Sequence, residues 1–524
     1  MRRTRRFELA LPFAAAAVLA MTVPVGLCDD AFITLRVADN LSRGRGMVFN
    51  AGEYIYVCTS PLWCALVAAG RFIVGDTALA ASVLGAVFAM ALGFAVVRLG
   101  AETALGAPAG VVAAVLLFTN PVFAFTVKSG MELPLYMTIM VVASWLAARR
   151  RFAEASACAA CLPWVRFDGV VLFLATLAFA LWASRAALRE RPARVLSRFL
   201  PAAAIAGAYA LFGALVFHDV VPTSVRAKAL MAPALFSAQW RVGAFHLARE
   251  FVRAVVGRSA YWYTAASPAF AVPILGVVGA RALASRKDGS LVPLALLTTS
   301  HVVAFVASGS EYATNFPWYF APVIAAASLF AGVGAMSLLG AFAARWPAFH
   351  PEFIARGLLP LVLVSWIAAS TSAFRSDAHA IATRWNERER VYATAAAWVG
   401  ERLHEGDVVA ANEIGTVGYF LPKDVAVLDM FGLLREKATL GEPYPELVKR
   451  QKPAYILTRH NFSYRSSIDT EIQGAYRWYP YHSLMIGMRS DLPEDTRPSK
   501  RSLDALYASV RLDRDYPWPT SRVQ

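Results

Sequence analysis

Two adjacent carboxylates, Asp29 and Asp30, directly follow an apolar run from Phe7 to Leu27. Like charges side by side at a low-dielectric boundary repel, so one of the pair tends to hold its proton above the ordinary carboxylate range. One member can then deprotonate a sugar hydroxyl while the other orients that hydroxyl or a bound cation. A divalent cation suits the pair as well as a proton does, and the spacing does not choose between them. The plainer reading is a cap on the amphipathic helix AFITLRVADNLSRG, which carries Arg36, with Glu53 further on. Four more short segments gather ionisable residues at the ends of apolar runs. TVKSGMELP holds Lys128 and Glu132, and LPWVRFDG holds Arg166 and Asp168. HDVVPTSVRAKA holds His218, Asp219, Arg226 and Lys228, and SGSEYATNFPWYF holds Glu311, Tyr312, Trp318 and Tyr319. Lys128, Arg166, Arg226 and Lys228 suit a lipid phosphate, because cations stabilise the charge on a departing phosphate; attraction to anionic headgroups is the alternative. Arg36, Glu53, Glu132, Asp168, Glu311 and Tyr312 are candidate substrate contacts, with loop salt bridges as the rival reading for the acids. Trp318 and Tyr319 fit either a sugar platform or an interfacial aromatic belt.

The elements that position these residues are membrane spans. The chain has 524 residues, 57% hydrophobic and 17% charged, with mean hydropathy +0.48. Soluble domains run near 45–50% apolar and about 25% charged. The apolar stretches recur as far as residue 374, which excludes a soluble enzyme with a tail and a single-span receptor. The net charge of +15 would point to nucleic acid on a soluble domain; here it reads as a topology signal, and no nucleic-acid partner is expected. The run Phe7–Leu27 covers roughly 30 Å as a helix, one bilayer core. It reads as an uncleaved anchor rather than a signal peptide, being long and lacking a small-x-small site before Asp29. Further spans are expected at 78–99, 107–126, 133–148, 153–165, 168–184, 198–217, 268–285, 291–308, 317–341 and 356–374. Pro61–Val74 decides the topology. If it crosses, Arg149–Arg151 and the basic run at 185–198 lie outside; if it lies on the outer surface, both lie inside with Arg286–Lys287 and the 345–356 loop. The positive-inside rule selects the second arrangement, which has eleven spans, the N-terminus in the cytoplasm and the C-terminus outside. All five ionisable segments then fall on one outer face, the first within the outer loop 28–77.

After the transmembrane domain 1–374 the composition changes, and residues 375–524 are polar enough to fold in water. A helical pattern over 377–404 and the short apolar runs DVVAAN, VAVLD and AYILTR read as a small extracytoplasmic α/β domain. The fold class is therefore a multi-pass α-helical membrane protein with a C-terminal α/β domain. Cys28 and Cys58 fall on the same side, and their spacing leaves pairing open; Cys158 and Cys161 read as helix packing. No Walker loop, HExxH or dinucleotide fingerprint is present, and an outer site has no nucleotide supply, so a sugar donor reaching it is most simply lipid-linked.

The stretch DDAFITLRVADNLSRGRGMVFNAGEYIYVCTSPLW resembles the first outer loop of the GT-C superfamily of membrane glycosyltransferases. SGMELPL, VRFDG, HDVVPTSVRAKA, NFPWYFAP and ANEIGTVGYFLPKDVAVLDMFGLL resemble later motifs of that superfamily, in the same order. The nearer likeness is to bacterial arabinofuranosyltransferases. The resemblance implies a polyprenyl-phosphate sugar donor, a cell-envelope glycan, lipid or protein acceptor, an inner-membrane location, and an aspartate of the first outer loop as catalytic base: Asp29, with Asp30 as its partner. Phe167 and Asp168 stand where the superfamily usually has Pro and Glu, and Ser224 and Arg226 where it often has Thr and Tyr or His. A single displacement at the anomeric carbon inverts it; a double displacement needs a second carboxylate, for which Asp30 and Glu132 are the candidates. The rivals from other classes are a transporter or lipid flippase, which would place charges at the bilayer midplane, and a non-catalytic assembly subunit.

Overall fold

The structure, a computed structural model, describes residues 26–230, 233–258, 268–310, 314, 316–346, 359–381, 386–435, 442–459, 472 and 474–513, with side chains between 359 and 381 described as far as 371. The expected anchor before residue 26, and Glu311 and Tyr312, lie outside the described residues.

Two helices open the described chain, α1 (Asp29–Ser42) and α2 (Pro61–Val74). The bundle follows: α3 (Thr77–Ala101), α4 (Ala107–Phe118), α5 (Pro121–Lys128), α6 (Leu133–Ala148), α7 (Phe152–Ala159), α8 (Leu162–Val165), α9 (Gly169–Ala183) and α10 (Leu200–Phe217). Beyond it come α11 (Thr223–Leu230), α12 (Ala238–Val255), α13 (Ala271–Ser285), α14 (Val292–Ser308), α15 (Ala321–Arg345) and α16 (Leu359–Ile381). Among the described residues four stretches are long and apolar enough to cross a membrane, Thr77–Ala101, Leu200–Phe217, Pro268–Ser285 and Pro317–Arg345. Shorter apolar helices stand at the spans expected at 133–148, 153–165, 168–184, 291–308 and 356–374, the last with its apolar part at Leu359–Thr371, so the expected total of eleven requires these to cross as well. Phe72, Ile73, Leu215, Ile274 and Val277 expose their side chains, the surface expected against hydrocarbon. Where α13 meets α15 the backbones nearly touch: a Cβ on Gly279 would collide with the Phe330 carbonyl, and one on Gly334 with that of Leu275. Close approach through small residues is how helices associate where burial from water gives no drive.

The span expected at 107–126 is not one helix. α4 and α5 meet at a 70° bend, and Asn120 is the cause. Its side-chain oxygen accepts the N–H groups of Val122 (2.9 Å) and Phe123 (3.3 Å), capping α5, while its amide donates to the carbonyls of Ala254 (2.9 Å) and Val255 (3.2 Å) on α12. Apolar composition hid this break, because Asn120 is a single polar residue beside Pro121.

The C-terminal unit is a five-stranded sheet with helices on both faces. Its elements are α17 (Glu387–Gly400), β1 (Val408–Ala411), α18 (Ile414–Phe420), β2 (Ala426–Asp429), α19 (Tyr444–Gln451), β3 (Tyr455–Arg459), β4 (Tyr476–Tyr481), β5 (Leu484–Arg489) and α20 (Lys500–Tyr507). The three apolar runs read from the sequence are β1, β2 and β3. The strand order is β2-β1-β3-β5-β4, with β1 parallel to both neighbours and the β4–β5 hairpin antiparallel to β3. Alternation separates the two faces. Val409, Ala411 and Leu457 pack with Ile414, Val417 and Phe420 of α18 and with α17, while Ala410 and Ile456 pack with Tyr444 and Val448 of α19. The β1→β2 connection thus covers one face and the β2→β3 connection the other.

Candidate active site

α1 starts on an acidic turn, favourable at a helix N-terminus. The loop at 129–132 is tied to that turn, since the Cys28 N–H donates to the Ser129 carbonyl (3.1 Å). Gly130 takes a positive φ of 78° and lies so close to Leu27 and Ala31 that a side chain there would clash. Trp63 of α2 donates to its carbonyl (3.2 Å), which places α2 over this corner. Lys128, at the end of α5, adjoins the same corner by connectivity. Across it, Arg166 lies between two carboxylates, 2.6 Å from Glu132 and 3.0 Å from Asp168. Its guanidinium faces the rings of Tyr136 and Tyr319 at 5.8 and 5.4 Å.

The segment after α10 delivers the other cation. His218 ends α10 with a left-handed turn, and the Thr223 N–H donates to the Tyr56 carbonyl in the segment between α1 and α2 (2.8 Å). α11 then brings Lys228 to the Tyr319 hydroxyl at 2.9 Å. Tyr319 is fixed through its own carbonyl, 2.8 Å from His301 Nε2 on α14. The neighbouring Trp318 is buried and stacks parallel to Phe125 at 6.3 Å; it packs the floor and presents no face to lipid. Among the described residues Lys228 has no carboxylate partner within ion-pair distance, whereas Arg226 is paired with Asp219 at 2.5 Å. Burial drives the Lys228 ammonium toward its neutral form, but Tyr319 and Asp30 more than offset this and its pKa is raised.

The two aspartates have different surroundings. Asp29 is 7% exposed, and its carboxylate accepts the backbone N–H of Thr416 (2.6 Å) and of Gly415 (3.3 Å) in the C-terminal unit. Burial holds its pKa well above the ordinary range, and Glu413 and Glu389 add to the effect. Asp30 is part-exposed. Burial raises its pKa too, but the opposing charges it meets are Lys228, Arg388 and Arg166. The cluster of Asp30, Arg166, Glu132, Lys228 and Tyr319 thus draws on five separated segments. No single motif disclosed Arg388, Glu389, Glu413 or Arg459. Arg388 pairs with Glu389 and lies 3.8 Å from Glu413, which Arg459 approaches to 2.7 Å, and the Thr416 hydroxyl donates to Glu389. The stretch ERER reads in sequence as a solvated helical face; only its packing against α18 makes it part of the site.

Arg36, an expected substrate contact, instead joins the two units, and Glu53 is held by Asn50, which joins them too. Arg36 donates to the carbonyls of Phe49 (2.9 Å), Gly418 and Val425 (2.7 Å) and lies 4.8 Å from the Phe49 ring. Burial pushes its pKa down to about 10. Asn50 pairs with both backbone groups of Val427 at 3.0 Å, as a neighbouring strand would, and also donates to Glu53 (2.9 Å). All five cysteines are free, and the Cys58 thiol is hydrogen-bonded with Cys64 rather than joined to Cys28. The seat on Asp29 is tight: a Cβ on Gly415 would run into the Asp29 carbonyl, with the carboxyl carbon 3.0 Å away. Gly415→Val should therefore cost about 1–3 kcal/mol by overpacking. The cost is read as a lower unfolding temperature and faster proteolytic release of the C-terminal unit; an unshifted melt would show that the contact is dispensable.

Residues 379–499 match a family described as a domain of unknown function (DUF8728). No curated protein matches the chain by sequence. Among solved structures, ArnT from Cupriavidus metallidurans bound to undecaprenyl phosphate is similar with a TM-score of 0.62 at 14% identity, over 94% of this chain and 99% of that one. Its apo form is similar at 0.58 and 14% identity, over 93% and 98%. The archaeal oligosaccharyltransferase AglB from Archaeoglobus fulgidus, in complex with an inhibitory peptide and a dolichol-phosphate, gives 0.54 at 13% identity, over 94% of this chain and 75% of that one. At such identities the likeness is one of fold, and it runs over nearly the whole chain. This chain has the fold of the ArnT and AglB structures along nearly its whole length.

Proposed function

We propose that the chain is an integral-membrane glycosyltransferase that moves a sugar from a polyprenyl-phosphate donor to a hydroxyl of a cell-envelope glycan, lipid or protein on the outer face of the bacterial inner membrane. The observation that carries this reading is the meeting of Asp30, Lys228, Tyr319 and the Glu132–Arg166–Asp168 triad, from segments far apart in sequence, at one corner of the fold. In this mechanism Asp30 accepts the acceptor hydroxyl's proton as that oxygen attacks the anomeric carbon. The bond from that carbon to the phosphate oxygen breaks, and the departing polyprenyl phosphate carries the electron pair toward Lys228. The single displacement inverts the anomeric centre. Asp30 is a better candidate than Asp29 because the cations face it, whereas both Asp29 oxygens are turned to backbone donors. Arg166, already balanced by two carboxylates, positions Tyr319 and Glu132 and leaves the phosphate to Lys228, with Lys128 and Arg226 at the rim. Among the described residues no group of three or more His, Cys, Asp or Glu side chains is placed to hold a metal ion. The reading takes the topology to be eleven spans with a cytoplasmic N-terminus and the sheet unit outside. The motif likeness makes arabinofuranose the sugar to test first.

The test is transfer by the full chain in nanodiscs, from polyprenyl-phosphate arabinofuranose to an arabinan oligosaccharide. A new glycosidic bond supports the reading; donor flux across the bilayer with no covalent product overturns it in favour of a transporter. Lys228→Met should raise the donor KM about tenfold or more, the loss of a charge-assisted hydrogen bond of about 1.5–3 kcal/mol. The acceptor KM should stay unchanged; an equal rise in both would remove Lys228 from the phosphate.

A further inference from the structure

The buried edge of the outer sheet carries hydrogen-bonding capacity that the transfer mechanism does not use. β1 and β3 are parallel neighbours with Ala410 opposite Ile456 and Ala411 opposite Leu457. The next pair in this register is Asn412 opposite Thr458, and the Asn412 N–H continues the ladder to the Leu457 carbonyl (3.4 Å). Alternation puts both side chains on the face of Ala410 and Ile456, on neighbouring strands about 4.8 Å apart. Asn412 is 3% exposed and Thr458 fully buried. Both polar atoms of the Asn412 amide and the Thr458 hydroxyl have no hydrogen-bond partner among the described residues. Three such atoms side by side at a strand end are rare, because each is an unmade bond that folding has to carry.

Their place in the topology is the second observation. The chain leaving β1 covers one face of the sheet and the chain entering β3 comes from the other, so the strand order turns around between these two strands. In open sheets the crevice outside the carboxyl ends of the strands at such a point is where ligands bind. The chemistry narrows the ligand. An amide offers one donor and one acceptor edge and a threonine hydroxyl offers both roles, which matches the hydroxyl groups of a sugar. The adjoining charges are matched: Glu413 lies between Arg459 and Arg388, and Asp429 at the end of β2 accepts the N–H groups of Phe431 (2.7 Å) and Leu434 (3.0 Å). No excess charge is left to select an anion or a cation. Glu413, directly after Asn412, is in turn felt by both Asp29 and Asp30, so this edge borders the acid pair from the outer side.

We infer that the carboxyl edge of β1 and β3, with Asn412 and Thr458 as its reading groups, is a subsite for a neutral sugar unit of the acceptor. The inference deepens the transferase reading and rests on it for the word acceptor. The binding itself can be tested without any transfer. The full chain in nanodiscs is titrated with methyl α-D-arabinofuranoside and methyl α-D-mannopyranoside, followed by saturation-transfer NMR, in wild type, Asn412→Leu and Thr458→Val. The expected result is saturation of the arabinofuranoside by the wild type and a half-saturation concentration about tenfold or more higher in each variant. The unfolding temperature of Asn412→Leu should be unchanged or higher, since an unpaired buried amide has been replaced by an apolar group. No saturation of either glycoside by the wild type, or equal binding in the variants, overturns the subsite and assigns these groups to internal water. A second arm uses the transfer assay, where Asn412→Leu should raise the acceptor KM about tenfold and leave the donor KM alone. Glycoside binding without transfer leaves the subsite standing and removes the transferase reading; transfer with an unaltered acceptor KM does the reverse.

Discussion

Asp30→Asn should lower sugar transfer by about 10²–10⁴-fold, the range that a positioned general base supplies, with little change in the unfolding temperature. Asp29→Asn should show the opposite balance. Asparagine still offers an oxygen to the Thr416 N–H but turns an amide toward the Gly415 N–H, so one donor meets another. The expected cost is about 1–3 kcal/mol of stability, with transfer reduced much less than in Asp30→Asn. The pH profile separates the roles further. A base works only when deprotonated, and burial raises the Asp30 pKa, so the acid limb of the wild-type rate should lie above the ordinary carboxylate range. That limb should disappear with Asp30→Asn and persist with Asp29→Asn. If the kinetic loss falls on Asp29 and the stability loss on Asp30, the base is Asp29 and the assignment made from the facing charges is wrong.

Arg166→Met should be the most destabilising of these substitutions. Removing one partner of a buried ion pair costs about 3–5 kcal/mol, because the other is left charged and alone, and here two carboxylates depend on one guanidinium. Burial already raises the Glu132 pKa, with Arg166 opposing; without the arginine it should rise further. Lowering the pH then neutralises Glu132, so the deficit against wild type should shrink on the acid side and grow toward neutrality. Replacing the acids as well, as Glu132→Gln/Arg166→Met/Asp168→Asn, should recover most of the melting temperature while transfer stays reduced, because Tyr319 keeps Lys228 but loses the guanidinium that holds its ring. Arg166→Met melting with the wild type at neutral pH would show that the triad is not formed.

Much of this arrangement is readable in the chain because membrane spans and short outer loops are coded locally. Hydropathy places helices at the expected spans from residue 78 onward, and three apolar runs bounded by turn residues are the parallel strands. The Glu132–Arg166–Asp168 triad joins two loops that the sequence puts on one face. What the sequence does not show is set by contacts across hundreds of residues. Arg36 is an arginine on an amphipathic helix until Gly418 and Val425 arrive to accept its bonds. Asn50 gives no sign that it will act as a strand neighbour to Val427. Asp29 and Asp30 are indistinguishable as neighbours in sequence, and differ only because Gly415 and Thr416 reach one of them. The bend at Asn120 is missed because a single capping residue changes the mean hydropathy of a span very little. The β4–β5 hairpin is missed because YRWYPY and LMIGMR lack clean alternation.

The hydrogen bond from Thr416 to Asp29 links residues 387 apart. Synthesis runs from the N-terminus at about 5–20 residues per second, so Asp29 is translated roughly 20–80 s before its seat exists. During that interval α1 has neither Thr416 nor the Gly418 and Val425 carbonyls that later hold Arg36. A ribosome product cut short between residues 381 and 414 therefore carries the bundle and the acid pair but not the seat of Asp29. Only the last fifth of the polypeptide brings the backbone donors of Asp29, so an unfinished copy holds this buried carboxylate without its seat while it is being inserted.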